Sequence, residues 1–258
     1  MPSLKQRLSN GETLLGTFAS LGSSITTEII GSAAWDWILL DLEHGLGSEK
    51  DVLGQLQALS NTPIEVIVRV ESSHKERIQK VLDLGAHGVM CPRIETTEQA
   101  TVAIKAMRYA PLGNRGVAKM IRATSFASKF ESYSTNNIKE LLGIIQIETV
   151  EALDHLDDIA ALEGCDVLFI GPSDLSMALG IFGQLDHPKF LKAEETIIEA
   201  AKRAGKSVGV FIVDPEDFSK YYLKGIRFFA CGTDAFFLKK QNQITAERLS
   251  ELRDDLKD

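Results

Sequence analysis

The chain is poor in the features that would place it outside the cell, in a membrane or on nucleic acid. Its three cysteines, Cys91, Cys165 and Cys231, are far apart and form no Cys-x-x-Cys pair. That fits a reducing compartment and leaves no zinc motif. No apolar run approaches the ~20 residues of a membrane helix. The segment Met1–Glu12 is polar and lacks the apolar stretch of a secretory leader, so a cytoplasmic location is expected. Positive charge is not in excess: 28 Lys and Arg stand against 36 Asp and Glu, a net charge of −8. This balance argues against nucleic acid or an anionic membrane as the main partner. An anionic substrate stays compatible, because a local Arg or a metal can reverse the field inside a cleft. There is no low-complexity tract, Pro/Ser-rich linker or like-charge block, and no domain boundary is found, so residues 1–258 are read as one domain.

What the sequence does contain is alternation. Eight short, mostly apolar runs recur, at Leu14–Ser20, Trp37–Leu42, Ile64–Val70, Gly88–Ile94, Gly143–Thr149, Val167–Gly171, Ser207–Val213 and Ile226–Cys231. None alternates strictly, as expected of parallel strands buried on both faces. Stretches with helical spacing separate them, among them Glu76–Leu84, Thr97–Met107, Glu151–Leu162 and Lys192–Ala204. A Thr-Thr-Glu-Gln start signal opens the second, and Gly205 is a natural stop for the last. Eight such units in 258 residues predict an α/β fold, a single (β/α)8 barrel. An open doubly wound sheet usually has fewer strands and a Gly-rich first turn, and no G-x-G-x-x-G follows the first run. The long connection from Tyr109 to Leu141 predicts a functional loop with a short helix over Ser125–Tyr133.

Catalytic residues of a barrel come from the C-terminal ends of its strands. Four of these ends carry polar groups: Asp41-Leu42-Glu43-His44 after the second run, Arg69 in the third, Gln146 and Glu148 in the fifth, and Gly171-Pro172-Ser173-Asp174 after the sixth. Gln146 and Glu148 are two apart and share a strand face, with Ile145 and Ile147 on the other, so the polar pair should point into the barrel. An inward carboxylate implies a cation. Arg69 would supply it as a structural ion pair, whereas the second carboxylate, Asp174, shifts the balance toward Mg²⁺ or Mn²⁺, with other transition ions also compatible. His44, beside acidic groups at a strand end, suits a general base. His74, His87, His155 and His187 have no partner motif. Cys231-Gly232-Thr233-Asp234 reads as a turn and a helix cap. A Schiff-base mechanism needs a desolvated lysine; no predicted strand offers one, and Lys119 in the long connection is the nearest.

These motifs in combination resemble the HpcH/HpaI family of class II pyruvate aldolases, which includes 4-hydroxy-2-oxoheptanedioate and 2-keto-3-deoxy-sugar-acid aldolases. The resemblance runs from about Gly16 to Asp234 and also rests on Trp35-Asp36-Trp37, Leu82-Asp83-Leu84-Gly85-Ala86, Arg108–Gly116 and Arg122-Ala123. It implies a divalent metal (Mg²⁺ or Mn²⁺, with Co²⁺ or Zn²⁺ as further candidates) on Glu148 and Asp174, and cleavage of a 4-hydroxy-2-oxo acid to pyruvate and an aldehyde through a pyruvate enolate. It further implies His44 as base, Asp83 as the acid that orients it, and Arg69 on the keto oxygen of pyruvate. Gln146, the turn Gly171, Pro172 and Ser173, and Phe211 would contact the substrate, and Asp41 and Glu43 would stand behind the metal. A homohexamer, with the last helix packed on a neighbouring subunit, is implied as well. Related carbon–carbon lyases, an oxaloacetate decarboxylase or a citrate-type enzyme, would use nearly the same residues, and a non-catalytic keto-acid-binding barrel is a third reading. The chain departs from some relatives at Gly45-Leu46-Gly47, at Phe211 and at Leu21-Gly22-Ser23-Ser24, all on the aldehyde side.

Overall fold

The computed structural model describes residues 2–256. Eight parallel strands close into a barrel in chain order: β1 (Leu14–Ala19), β2 (Trp37–Asp41), β3 (Glu65–Arg69), β4 (Gly88–Cys91), β5 (Leu142–Ile147), β6 (Val167–Ile170), β7 (Ser207–Ile212) and β8 (Phe228–Thr233). The helices are α1 (Leu4–Ser9), α2 (Ser24–Gly31), α3 (Glu49–Ala58), α4 (Lys75–Leu84), α5 (Thr97–Met107), α6 (Phe130–Glu140), α7 (Val150–Asp154), α8 (Leu156–Ala161), α9 (Pro172–Ala178), α10 (Pro188–Ala204), α11 (Phe218–Leu223) and α12 (Asp234–Asp255). No helix among the described residues is long and apolar enough to cross a membrane.

All eight expected strands are present, because each run is apolar on both faces and the barrel has a core on both. Inside lie Leu14, Phe18, Trp37, Leu39, Ile67, Met90, Ile144, Phe169 and Phe228, closed at the N-terminal end by Leu4 and Leu8 of α1. Outside, beneath the helices, lie Ile38, Leu40, Val66, Val68, Ile145, Ile147 and Val210. Gly16 permits the closest inner contact: a Cβ there would stand 2.2 Å from the Trp37 ring. That ring lies over β1 and stacks on Phe228 at 4.2 Å between centroids, tying β2 to β8 across the seam.

The helix expectations hold where caps mark them. Thr96 and Gln99 form the capping box of α5, and Gly205 ends α10 in the left-handed region. Two expectations need correction. Glu151–Leu162 is not one helix, because the backbone breaks at His155, which ends α7 and opens α8. The short helix expected over Ser125–Tyr133 begins later: Ser125, Phe126 and Ala127 have positive φ, and the helix runs from Phe130 to Glu140. Left-handed residues cannot continue a right-handed turn.

At the N-terminal end of β3, Glu65 accepts a hydrogen bond from the Leu4 N–H at 2.9 Å. Burial, reinforced by the charge of Glu140, pushes its carboxyl up to about 7. An acid raised in the folded state favours folding in its protonated form, so stability falls as pH rises from the unfolded value of ~4.5 through about 7. Glu65→Gln keeps the acceptor and removes the charge. It is expected to match the parent at pH 4.5 and to exceed it by about 1–2 kcal/mol at pH 8, screening allowed for. Urea melts at the two pH values check this, and an equal difference at both would refute it.

Candidate active site

The C-terminal rim gathers the polar strand ends. Asp41 and Arg69 share the inward parity of Leu39 and Ile67 and face each other in register on β2 and β3. The Arg69 guanidinium donates from Nε to Asp41 Oδ1 at 2.9 Å and from Nη2 to Oδ2 at 2.8 Å, a bidentate pair. Its Nη1 stands 3.1 Å from Glu43 Oε2. Burial opposes the guanidinium charge, but the hydrogen bonds and charge of Asp41, with Glu43 and Glu148, outweigh it and hold Arg69 above its ordinary value. The guanidinium carbon lies 5.3 Å from the Phe18 ring centroid, and Phe211 meets that ring edge-on at 5.2 Å. Asp41 also fixes the loop that follows: its Oδ1 accepts the N–H groups of Glu43 at 3.1 Å and His44 at 3.3 Å. His44 itself is open, with 64% of its side chain exposed and Nε2 3.8 Å from Glu43 Oε2.

Across the barrel mouth, Gln146 and Glu148 are buried, on the inward parity of Ile144. Gln146 Nε2 donates to Glu148 Oε2, and Arg93 N donates to Glu148 Oε1 at 2.7 Å. Burial raises the Glu148 carboxyl; the Arg93 bond opposes this, while the charges of Glu43 and Asp174 add to it. Glu43 is raised for the same first reason, opposed by Arg69 and His44 and reinforced by Asp41 and Asp174. Asp174 is exposed in the first turn of α9, after Gly171, Pro172 and Ser173. Three carboxylates thus feel one another at the rim. Gln146 Oε1 is buried and has no hydrogen-bond partner. At Gly171 a Cβ would come within 2.7 Å of Glu148 Oε2 and 2.9 Å of Gln146 Nε2, so only glycine leaves this cradle open.

Mutually repelling hard-oxygen donors beside an unpartnered amide oxygen fit a divalent cation. Among the described residues no group of three or more His, Cys, Asp or Glu could hold one. Of the rim carboxylates, Asp41 and Glu43 are engaged by Arg69, whereas Glu148 and Asp174 have no cationic side chain paired with them among the described residues; an ion that takes one or two carboxylates and leaves other positions to substrate or water would fit these two.

Within one chain Asp83 is not brought to His44. It lies in the last turn of α4, where it binds Arg115 Nη2 at 2.7 Å. A helix that follows a barrel strand runs back toward the strand's N-terminal end, so its last turn is at the far end from the rim. Arg115 there packs against Tyr109 and Tyr133 and donates to the Tyr133 hydroxyl. Lys119 stands 5.2 Å from the Phe130 ring centroid in the same long connection, and none of the eight described strands contains a lysine. Thr233 caps α12 as expected, while Asp234 does more: it accepts Ser20 N at 2.8 Å, Leu21 N at 3.2 Å and the Thr26 hydroxyl at 3.1 Å, fixing the loop after β1. Arg93, a non-glycine residue with φ 52°, carries no sequence signal for its role, since a backbone N–H is common to every residue but proline.

A closed parallel barrel with an arginine, carboxylates and an open histidine on its C-terminal rim is the architecture of a small-molecule enzyme. The chain belongs to the HpcH/HpaI aldolase/citrate lyase family, whose model matches residues 14–240. It is similar to the hydroxypyruvate/pyruvate aldolase of Pseudomonas aeruginosa, 35% identical over 244 residues covering 95% of this chain and 91% of the relative. The 2-keto-3-deoxy-L-rhamnonate aldolase of Klebsiella pneumoniae is 34% identical, with 97% and 93% covered. The crystal structure of an HpcH/HpaI aldolase/citrate lyase family protein from Burkholderia cenocepacia superposes with a TM-score of 0.90 at 35% identity, over 98% of this chain and 100% of the other. The chain is an aldolase, a carbon–carbon lyase.

Proposed function

We propose that the enzyme is divalent-metal-dependent and reversibly cleaves a 4-hydroxy-2-oxo acid to pyruvate and an aldehyde. The observation that carries this reading is the placement of the Arg69 guanidinium, fixed by Asp41, on the same rim as Glu148 and Asp174. Glu148 and Asp174 would hold Mg²⁺ or Mn²⁺, and Co²⁺ or Zn²⁺ suit the same donors. The cation would supply Lewis-acid polarisation of the keto acid. Arg69 donates to the keto oxygen as negative charge develops on it, a preorganised donor that needs no rearrangement because Asp41 already holds it. Gln146, whose Nε2 donates to Glu148 Oε2, would stand beside the bound keto acid. Gly171, Pro172 and Ser173 line the carboxylate side, and Phe211, backed by Phe18, walls the aldehyde side. His44 takes a proton from the pyruvate methyl group in the synthetic direction, and its exposure lets it exchange that proton with solvent.

Similarity to a hydroxypyruvate/pyruvate aldolase and a 2-keto-3-deoxy-L-rhamnonate aldolase supports testing pyruvate, hydroxypyruvate and 2-keto-3-deoxy-sugar acids as substrates. The family's citrate lyase branch keeps oxaloacetate decarboxylation or citrate-type chemistry as the second reading, separated by product analysis with oxaloacetate. Exposed Leu238, Leu249 and Leu252 on α12, with Leu256 just beyond it, support packing of this helix on a neighbouring subunit in a homohexamer. A cytoplasmic location completes the proposal, supported by the unpaired cysteines.

The test is deuterium exchange of the pyruvate methyl group in D2O. Exchange with Mg²⁺ or Mn²⁺, lost in EDTA and in His44→Ala, is the expected result. Exchange that persists in EDTA would overturn the metal dependence, and exchange that persists in His44→Ala would overturn the base.

A further inference from the structure

A cavity of about 570 Å³ opens at the end of the barrel opposite the catalytic rim, beside α1 and beneath the starts of β5 to β8. This volume is in the range of small-molecule sites. Five cations line it: Lys5 of α1, Lys202 in the last turn of α10, Lys206 after that helix, Lys224 after α11 and Arg227 before β8. Asp166 is the one acid among the described residues of its wall. The whole chain carries a net charge of −8, so the local balance is the reverse of the global one. Lys202 is exposed, and the other four cations are half-buried.

Two of the five are matched by carboxylates. Lys5 Nζ lies 3.0 Å from Asp166 Oδ1, and Lys224 pairs with Glu194. The other three have no carboxylate partner among the described residues. Lys206 Nζ donates to Leu162 O at 3.2 Å. Arg227 Nη1 donates to Ile226 O at 2.8 Å and to Tyr222 O at 2.9 Å, and its guanidinium carbon stands 4.1 Å from the Tyr222 ring centroid. A carbonyl or a ring orients a cation and leaves its charge in place. The Arg227 bonds use one terminal nitrogen, so Nη2 and Nε, which are not sealed in the protein, are left for an oxyanion. The side chain of Lys202 has no partner among the described residues. The C-termini of α8, α10 and α11 meet here, and their dipoles explain why cations gather. Each helix end supplies only about half a negative charge, so three unmatched cations stay in excess.

We propose that this cavity binds a phosphate-bearing small molecule, its oxyanions held by Lys202, Lys206 and Arg227. A phosphate group concentrates about two negative charges on its oxygens, where a carboxylate brings one. The lysines act as point charges on it and the arginine as a planar fork. The site stands at the far end of the barrel from Arg69 and does not rest on the aldolase chemistry.

The experiment is calorimetric titration of the metal-free full chain with inorganic pyrophosphate, alongside thermal melts. Glycerol 3-phosphate and adenosine diphosphate present the same chemistry on two carriers, and ribitol is the neutral probe. Pyrophosphate is expected to bind and to raise Tm. Lys202→Gln, at an exposed position, should keep the Tm of the free protein and weaken pyrophosphate about fivefold. Arg227→Gln should weaken it at least about tenfold; if this variant fails to fold, Lys202→Gln decides. Tighter binding of either organic phosphate than of pyrophosphate supports the site and names the carrier. No pyrophosphate binding at about 10 mM, equal binding by parent and Lys202→Gln, or tighter binding of ribitol would each overturn the proposal.

Discussion

Arg69→Ala is expected to lower kcat/KM by at least about a hundredfold and to destabilise the protein by about 3–5 kcal/mol. The two losses have different origins. Turnover falls because the donor at the developing oxyanion is gone. Stability falls because Asp41 and Glu43, both held by the guanidinium in the parent, face each other unpaired. The pair Asp41→Asn and Arg69→Ala together should recover much of the stability and none of the turnover, since the amide needs no cation. Arg69→Lys restores the charge without the planar fork, so it should be more stable than the alanine variant and still slow. Steady-state kinetics and urea melts on the four proteins separate these effects. Turnover within about threefold of the parent in Arg69→Ala would refute the oxyanion role.

Glu148→Gln should behave in the opposite way toward stability. In the parent, burial and the charges of Glu43 and Asp174 raise this carboxyl, so ionising it disfavours the fold as pH rises. The amide removes that penalty and can still accept from Arg93. In EDTA, at neutral pH, its Tm should equal or exceed that of the parent, while activity falls about a thousandfold and Mn²⁺ affinity about a hundredfold. Asp174→Ala should lose the same activity and metal affinity. Metal titration by calorimetry, followed by assay of the loaded proteins, makes the comparison. Full activity without added metal in either variant would sink the two-carboxylate assignment.

Legibility from sequence followed the physics of each element. The strands were readable because a barrel strand is buried on both faces and becomes a short apolar run. The inward direction of Gln146 and Glu148 followed from the two-residue period of a strand, against Ile145 and Ile147 on the outer face. The ion pair between Asp41 and Arg69 was not legible, since it depends on the register of β2 against β3. Within one chain Asp83 does not meet His44, because α4 returns to the other end of the barrel and Asp83 binds Arg115 there. The break at His155 and the late start of α6 failed on local backbone geometry, where no proline or glycine marks the residues that turn. Arg93 escaped notice because its contribution to Glu148 comes from the main chain.

Trp37 makes the barrel optically readable. The chain has two tryptophans, and Trp35 is only partly buried, whereas Trp37 is fully enclosed and stacked on Phe228 across the seam where the first strand meets the last. Its emission should be blue-shifted while that seam is shut and move to the red when β8 parts from β1. With Trp35 replaced by phenylalanine, the remaining signal would time the joining of the two ends of the sheet, which are separated by nearly the whole chain.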